Sequence, residues 1–149
     1  MLIRTFRLGD YAAIMRIWQE TGLDKKETES LDALAKQLSW DSELVMVAEL
    51  FGEVVGVVVG TIDGTRAYFY RLAVLPEKQG TGIGRKLVES LENRFRQRGV
   101  NRVLIMVNQD NPEILPFYHS LGYEIQKYVT LSKKLCNHHE FTVPGELFR

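Results

Sequence analysis

The sequence predicts a mixed α/β fold, built on a mostly antiparallel twisted sheet that contains one β-α-β crossover and carries helices on both faces. Three observations predict this class. Two apolar segments flank a turn at 51–53, which is typical of an antiparallel β-hairpin. A strand, a glycine-rich turn and an amphipathic helix follow one another over 70–92. A short apolar segment at 103–107 then supplies the second strand of a parallel crossover.

The composition predicts a single globular domain over residues 1–149, with 136–149 as a C-terminal extension that has no clear pattern. The formal net charge is zero and the basic residues are spread along the chain, so we expect no nucleic-acid partner. Cys136 is the only cysteine, which excludes an intrachain disulfide and favours a reducing cytoplasm. No signal-peptide pattern is evident and the longest apolar run, 54–59, is too short to span a bilayer, so no membrane partner is expected.

The first half of the chain is predicted to form one strand, two helices and a three-stranded meander. The elements are a strand at 2–7, a helix at 11–21 with Asp10 as its N-cap, a polar loop at 24–30, a helix at 30–39, and strands at 44–50, 54–61 and 66–75. The expected buried faces are Ile14, Ile17 and Trp18 on the first helix and Leu31, Leu34, Ala35 and Leu38 on the second. Since each helix has one apolar face, both are expected to pack on the sheet.

The second half of the chain continues as helix, strand, helix and strand. A helix at 82–98 ends at Gly99, because glycine suits the left-handed conformation that closes many helices. A buried strand at 103–107 leads to a helix from Pro112 to Ser120, since proline fits the first turn of a helix. A final strand is expected at 123–131.

The glycine-rich turn before the third helix predicts a binding site for a pyrophosphate. Gly80, Gly82 and Gly84 leave the backbone open, and the first N–H groups of a helix attract anions. Arg85 and Lys86 could add positive charge at the rim. The spacing excludes two other phosphate motifs, because a dinucleotide fingerprint needs a glycine at position 85 and a P-loop needs Gly-Lys-Ser/Thr. The alternative is a glycine turn that only joins strand to helix.

Three segments together resemble the GNAT superfamily of N-acetyltransferases. They are Leu72-Ala73-Val74-x-Pro76-Glu77 running into Gln79-Gly80-Thr81-Gly82-Ile83-Gly84, then Asn111 with Phe117-Tyr118 and Leu121-Gly122-Tyr123, and the opening Ile3-Arg4-x-Phe6-Arg7-x-x-Asp10. The resemblance extends from Ile3 to about Leu135, and the arrangement is similar to small bacterial YpeA-type acetyltransferases. It implies the GNAT fold, with acetyl-CoA as the cofactor.

The resemblance also implies which residues would contact acetyl-CoA. Leu72, Ala73 and Val74 match the strand that pairs with the pantetheine arm, Gln79, Gly80, Thr81, Gly82, Ile83, Gly84 and Arg85 match the pyrophosphate loop, Asn111 matches a contact to the cofactor arm, and Tyr118 matches the acid that protonates the leaving thiolate. The chemistry suits these residue types, since acyl transfer needs a donor for the developing oxyanion and a proton for the departing sulfur. The backbone N–H of Val74 is the candidate oxyanion donor.

Two of these residues have structural alternatives. Tyr118 could instead be a core aromatic residue beside Phe117. Asn111 could be the N-cap of the helix that begins at Pro112, and this role is compatible with a cofactor contact.

The general base is not evident from the sequence. Where the branch of the family that acetylates protein N-termini has a glutamate, this chain has Met106, and neither 105–107 nor 68–74 contains a carboxylate. Deprotonation could use water held by Tyr68 or Tyr70, or one of the acids Asp24, Glu27 and Glu29, for which solvated loop charge is the alternative. Tyr68 and Tyr70 share one face of their strand, so they either line the acceptor site or pack.

No metal site is predicted. His119, His138 and His139 lack the partners and the spacing of a zinc site, and Cys136 is interpreted as a packing residue because no base accompanies it.

The sequence thus predicts an acetyl-CoA-dependent N-acetyltransferase that acts by direct transfer in a ternary complex. The acceptor is expected to be a primary amine on a small molecule or a protein, and a homodimer would be unsurprising for this fold. Two alternatives stay open, a catalytically silent acyl-CoA-binding or sensing module and a homo-oligomeric scaffold. Turnover with an amine panel separates the first two hypotheses, and cofactor binding separates both from the scaffold.

Overall fold

A computed structural model describes residues 1–23 and 27–135 of the chain. The chain divides into two compact units, Met1–Ile114 and Leu115–Arg149, which are described in turn. No helix in the described part of the chain combines the length and the apolar character that crossing a membrane requires.

The first unit is a five-stranded sheet with helices packed against it. Its elements are β1 (Leu2–Thr5), α1 (Tyr11–Glu20), α2 (Glu27–Asp41), β2 (Val45–Leu50), β3 (Glu53–Asp63), β4 (Arg66–Val74), α3 (Ile83–Gln97) and β5 (Arg102–Leu104). The strands lie in the order β1-β2-β3-β4-β5, and every neighbouring pair is antiparallel except β4 and β5. The predicted mixed, mostly antiparallel sheet with one parallel crossover is therefore confirmed.

Glycines in β3 allow α3 to lie close to the sheet. A Cβ atom at Gly56 or Gly60 would clash with side chains of α3, so the absence of a side chain at these two positions lets the helix lie close to the strand. Tyr70 pairs with Val59, the neighbour of Gly60, and therefore lies on the opposite face. Its hydroxyl contacts Gln37 of α2, which places α2 and α3 on opposite faces of the sheet, as predicted.

The buried face of α1 is as predicted, whereas that of α2 differs. Ile14, Ile17 and Trp18 are all buried, and so is Leu34 in α2. The prediction for Ala35 is wrong, because this residue is exposed, and Gln37 is buried in its place. A polar residue is stable there because the Gln37 amide donates a hydrogen bond to the Gly60 carbonyl and accepts one from Tyr70.

Asp10 lies at the N-cap position of α1, as predicted, but it does not cap the helix with its side chain. Instead the carboxylate accepts two hydrogen bonds from the Arg4 guanidinium, at 2.8 and 2.9 Å, and one from the Arg7 backbone N–H at 2.7 Å. Hydrogen bonding from Arg4 lowers the pKa of this buried carboxyl. Asp10 therefore ties β1 to the turn before α1 rather than serving the helix itself.

The polar loop predicted at 24–30 and the strand predicted at 103–107 both differ from the structure. Helix α2 begins at Glu27, so only 24–26 of that loop precede it, and these residues lie outside the described part. Strand β5 covers only Arg102–Leu104. It is short because its pairing with β4 ends at Leu104, and a strand needs the hydrogen bonds of a neighbour.

In the second unit, whose described residues are 115–135, there is one short helix, α4 (Leu115–Ser120). The predicted helix from Pro112 is divided, because Pro112–Ile114 forms a 3-10 turn that ends the first unit. The prediction of a final strand at 123–131 is wrong, since 123–135 has no regular secondary structure. Apolar alternation marks a segment that could pair, but it does not provide the neighbouring strand that completes a ladder.

Candidate active site

The turn between β4 and α3 has an open backbone. Gly80 and Gly82 have φ values of 78° and 87°, in the left-handed region that favours glycine. A Cβ at either position would have no other atom within 4 Å, so the space above the turn is open. Gly82 is the N-cap of α3 and no side chain caps the helix. The arrangement suits an anion that accepts hydrogen bonds from the first N–H groups of α3.

Side chains of the same turn stabilise its shape. The Gln79 amide donates to the Val74 carbonyl at 3.0 Å, and the Thr81 hydroxyl donates to the Lys78 carbonyl at 2.7 Å. These two side chains therefore bind the backbone of the turn. Any contact of Gln79 and Thr81 with a ligand would involve their main-chain groups. Arg85 is exposed on the first turn of α3, 3.6 Å from the carboxylate of Glu89. The two remaining loop positions differ in exposure: Ile83 is buried and Gly84 is half-buried.

The parallel strands β4 and β5 separate within the first unit. They pair from Arg66 with Arg102 to Tyr68 with Leu104. Beyond that point β4 continues to Val74. Leu72 is half-buried in this continuation, and Ala73 and Val74 are buried. The divergence gives the later part of β4 an edge along which a ligand's polar groups could add hydrogen bonds.

A bulge interrupts β4 just before this edge, and no sequence pattern predicted it. Arg71 has a left-handed backbone, with φ 55°, and the register with β3 shifts between Val57 and Val59. The Trp18 indole N–H donates to the Arg71 carbonyl at 3.2 Å, and the Arg71 guanidinium lies 4.9 Å from the centre of the Trp18 ring. These contacts stabilise a conformation that costs an arginine about 1 kcal/mol or more. The bulge therefore fixes how β4 enters the candidate site.

The two candidate acceptor-site tyrosines lie on one face of β4 and are partly exposed, Tyr68 at 37% and Tyr70 at 42%. The Tyr70 hydroxyl donates to the side-chain oxygen of Gln37 at 3.3 Å. Burial raises the pKa of Tyr70, and a hydrogen bond with Thr61 opposes this shift. Tyr70 therefore remains a neutral phenol at physiological pH. Sequence reasoning missed Gln37, because its place on an amphipathic helix gives no signal of a partner in β4.

Asn111 is exposed at the start of the 3-10 turn. Its backbone N–H donates to the Asn108 carbonyl at 3.0 Å. Its side-chain amide faces the Glu113 carboxylate and, with the nitrogen on that side, donates to both carboxylate oxygens. An N-cap side chain would instead accept a hydrogen bond from the backbone. The described contact is therefore a local one, and the predicted contact with a cofactor arm remains a prediction.

Tyr118 lies in α4 of the second unit and is half-buried. Its ring makes edge-to-face contacts with Phe117, at 5.1 Å between ring centres, and with Tyr123, at 6.1 Å. Burial raises the pKa of Tyr118 above its ordinary value. The aromatic cluster thus agrees with a packing role, and the raised pKa keeps the phenol proton available for donation at neutral pH.

The candidate bases and metal ligands are only partly within the described residues. Glu27 and Glu29 belong to the first turn of α2 rather than to a loop, and Asp24 lies outside the described part, as do Cys136 and the pair 138–139. Met106 is exposed and brings no carboxylate. Within residues 1–23 and 27–135, no group of three His, Cys, Asp or Glu side chains could hold a metal ion.

The chain is similar to known acetyltransferases over most of its length. The sequence profile of the acetyltransferase (GNAT) family matches residues 11–123. An acetyltransferase of Pectobacterium atrosepticum is 35% identical over 141 residues, which cover 95% of this chain and 100% of that protein. The structure of Ard1 from Thermoplasma volcanium has a TM-score of 0.72 at 30% identity and covers 84% of this chain and 83% of its own. An aminoglycoside 6'-N-acetyltransferase from Acinetobacter haemolyticus has a TM-score of 0.76 at 18% identity, covering 91% of this chain and 100% of its own.

Proposed function

Because this chain belongs to the GNAT family of acetyltransferases, we propose that it transfers the acetyl group of acetyl-CoA to a primary amine of a small molecule or a protein. The transfer occurs by direct attack in a ternary complex. One observation carries the proposal: β4 leaves its parallel neighbour and runs into an open glycine turn at the uncapped N-terminus of α3. This places a hydrogen-bonding edge and an anion site next to each other along the chain.

The residues present fit acetyl-CoA. The main chain of Leu72, Ala73 and Val74 would pair with the amide-bearing arm, since amide groups complement a strand edge. The first N–H groups of α3, with Gly80 and Gly82 leaving room, would hold the pyrophosphate. Arg85 would add positive charge, and Asn111 would contact the arm. Acetyl-CoA supplies the activated acetyl group.

Two groups of the chain serve the transfer itself. The Val74 N–H stabilises the negative charge that develops on the carbonyl oxygen. Tyr118 gives a proton to the departing sulfur, and because burial raises its pKa it holds that proton at neutral pH. A thiol with an ordinary pKa of about 8.5 leaves with only modest assistance from such an acid.

Removal of the amine's proton is assigned to water on the acceptor side. Tyr68 and Tyr70 share a partly exposed face of β4 and would hold this water. Neither β4 at 68–74 nor the segment 105–107 that follows β5 contains a carboxylate. The enzyme therefore depends on the fraction of amine that is already neutral, and turnover should rise with pH until Tyr118 begins to lose its proton.

Calorimetry with acetyl-CoA, with NAD as the control ligand, tests the binding half of the proposal. Thiol release with a panel of spermidine, glucosamine 6-phosphate, kanamycin and an alanyl peptide tests the transfer half. We expect micromolar binding of acetyl-CoA alone and amine-dependent release of thiol. Binding without transfer to any amine would favour an acyl-CoA-binding or sensing module. An absence of binding would exclude both and favour a scaffold.

A further inference from the structure

We infer that Gln37 is a positioning residue that makes Tyr70 a hydrogen-bond acceptor toward the amine substrate. The inference rests on the proposed function, because it assigns Tyr70 to the acceptor site of the transfer reaction. It adds a residue of α2 to the acceptor side of the proposed reaction, and it gives the choice of an amine a structural basis.

The orientation of the Gln37 amide is fixed by its surroundings. The side chain is 7% exposed, and its nitrogen donates to the Gly60 carbonyl at 2.6 Å. A carbonyl oxygen can only accept, so the amide nitrogen must face Gly60. Strand β2 begins at Val45, which pairs with Val59, so Gly60 lies just past the end of the pairing between β2 and β3. The Gln37 amide supplies the Gly60 carbonyl with the hydrogen bond that β2 does not provide. The amide oxygen is thereby directed to the other side.

The Gln37 side-chain oxygen accepts a hydrogen bond from the Tyr70 hydroxyl, which has only one proton to donate. The two atoms are 3.3 Å apart, and an amide oxygen can only accept. The phenol oxygen also forms a hydrogen bond with Thr61, and because the single phenol proton is directed at Gln37, the Thr61 hydroxyl is the donor of that bond. A phenol oxygen has two lone pairs, so one remains. Toward a substrate Tyr70 can accept a hydrogen bond but cannot donate one.

This polarity matters for an amine nucleophile. A neutral primary amine has two N–H groups and one lone pair, and the lone pair must attack the acyl carbon. A phenol that donated to the amine would occupy this lone pair and compete with the attack. A phenol that accepts instead binds an N–H group and leaves the lone pair to point elsewhere. By accepting the Tyr70 proton, Gln37 thus prevents the phenol from donating to the amine lone pair. It favours substrates whose amine has an N–H group that can donate to Tyr70.

Three variants separate positioning from mere support of the fold. Gln37→Met keeps the volume and removes both hydrogen bonds, and Tyr70→Phe removes the phenol. In Gln37→Glu, a protonated carboxyl can donate to Gly60 and accept from Tyr70 as the amide does, whereas the ionised form cannot donate. Burial raises the pKa of an introduced carboxyl, so this variant should recover at low pH. Thermal unfolding confirms that each variant is folded.

The measurements are steady-state kinetics with the best amine of the panel and the NMR signal of the phenol carbon in 13C-labelled tyrosine, assigned with Tyr70→Phe. We expect Gln37→Met to raise the amine KM about tenfold, as expected when a buried polar group loses its partner, and to leave the acetyl-CoA KM nearly unchanged. The effect should disappear in the Tyr70→Phe background. The activity of Gln37→Glu relative to the unmodified enzyme should rise as the pH falls, and Gln37→Met should show no such trend.

Several outcomes would overturn the inference. These are an unshifted Tyr70 signal in Gln37→Met, equal kinetic losses in both backgrounds, or a parallel rise of the acetyl-CoA KM. If no amine of the panel is acetylated, the same amines are titrated into the acetyl-CoA complex while the Tyr70 signal is followed. A shift that depends on Gln37 would then support the inference and contradict only the transfer reaction. No shift with any amine would overturn the inference itself.

Discussion

Substituting Gly56 by alanine should loosen the contact between β3 and α3 at the end where the glycine turn lies. The new Cβ would lie 2.9 Å from a methyl carbon of Leu87, about 0.6–1.1 Å short of the usual carbon–carbon contact distance. It would also lie 3.3 Å from the Ile83 side chain and 3.3 Å from the Ala73 carbonyl oxygen. Because the Ala73 contact is with a backbone oxygen of β4, we expect the Leu87 and Ile83 side chains of α3 to give way, and Ile83 is the first residue of that helix.

The magnitude follows from this crowding. Overpacking a buried contact costs about 1–3 kcal/mol, which lowers the melting temperature of a chain this long by roughly 3–10 °C. Displacing the first turn of α3 should also weaken acetyl-CoA binding about tenfold, which corresponds to about 1.4 kcal/mol. Thermal unfolding and calorimetry with acetyl-CoA measure the two effects on one protein preparation.

Gly60→Ala is the matched control. Its Cβ would lie 2.7 Å from the Phe95 ring and 3.1 Å from both methyl carbons of Leu91, in the second half of α3 and away from the glycine turn. We expect an equal or larger loss of stability with less than about a threefold change in acetyl-CoA affinity. Equal affinity losses in Gly56→Ala and Gly60→Ala, or none in Gly56→Ala, would refute the link between β3 packing and the turn.

Three further predictions concern other parts of the chain. Gly82→Glu should abolish measurable acetyl-CoA binding, because it places bulk and negative charge at the N-terminus of α3. Gly64→Glu, a control at another open turn glycine with positive φ, should leave acetyl-CoA binding intact. Similar calorimetric titrations of the two variants would exclude an anion site at Gly82. Tyr118→Phe should reduce kcat more than acetyl-CoA affinity, and full turnover at neutral pH would show that Tyr118 is not the acid. Asp10→Asn should lower the free energy of unfolding at pH 7 by about 2–4 kcal/mol, because it disrupts a buried pair with Arg4. Since the folded pKa of Asp10 is lowered, its contribution is complete above the unfolded value of about 3.9 and is lost as the pH falls through the folded value, so urea unfolding of the two proteins should converge in acid.

The parts of the fold that the sequence predicted are those with local signals. Helix α3 was expected at 82–98 and covers Ile83–Gln97, because its apolar spacing and its terminal glycines lie within one short segment. The same holds for the hairpin of β2 and β3 and for the glycine turn, where the backbone conformation follows from the residue type at Gly80 and Gly82.

The features that escaped prediction depend on residues far away in the chain. Gln37 is buried because of an acceptor 23 residues away and a donor 33 residues away, and the Arg71 conformation is stabilised by a residue 53 positions earlier. In the sequence, Asp10 is a typical N-cap residue, and only the structure shows that its carboxylate binds the Arg4 guanidinium instead of the helix backbone. For 123–131, alternation indicated a strand, but only a neighbouring strand could have made it one.

The bulge at Arg71 changes the phase of β4. Gly60 and Gly56 both face α3, so their cross-strand partners Phe69 and Val74 face α3 as well. These two residues are an odd number of positions apart, whereas a regular strand returns to the same face only at even separations. Before the bulge, the odd-numbered residues of β4 face α3, as Phe69 does. After the bulge, the even-numbered residues face α3, as Val74 does. If the same sequence ran through this point as a regular strand, Ala73 instead of Val74 would lie opposite Gly56, and the Val74 side chain, now packed toward α3, would point toward the acceptor side.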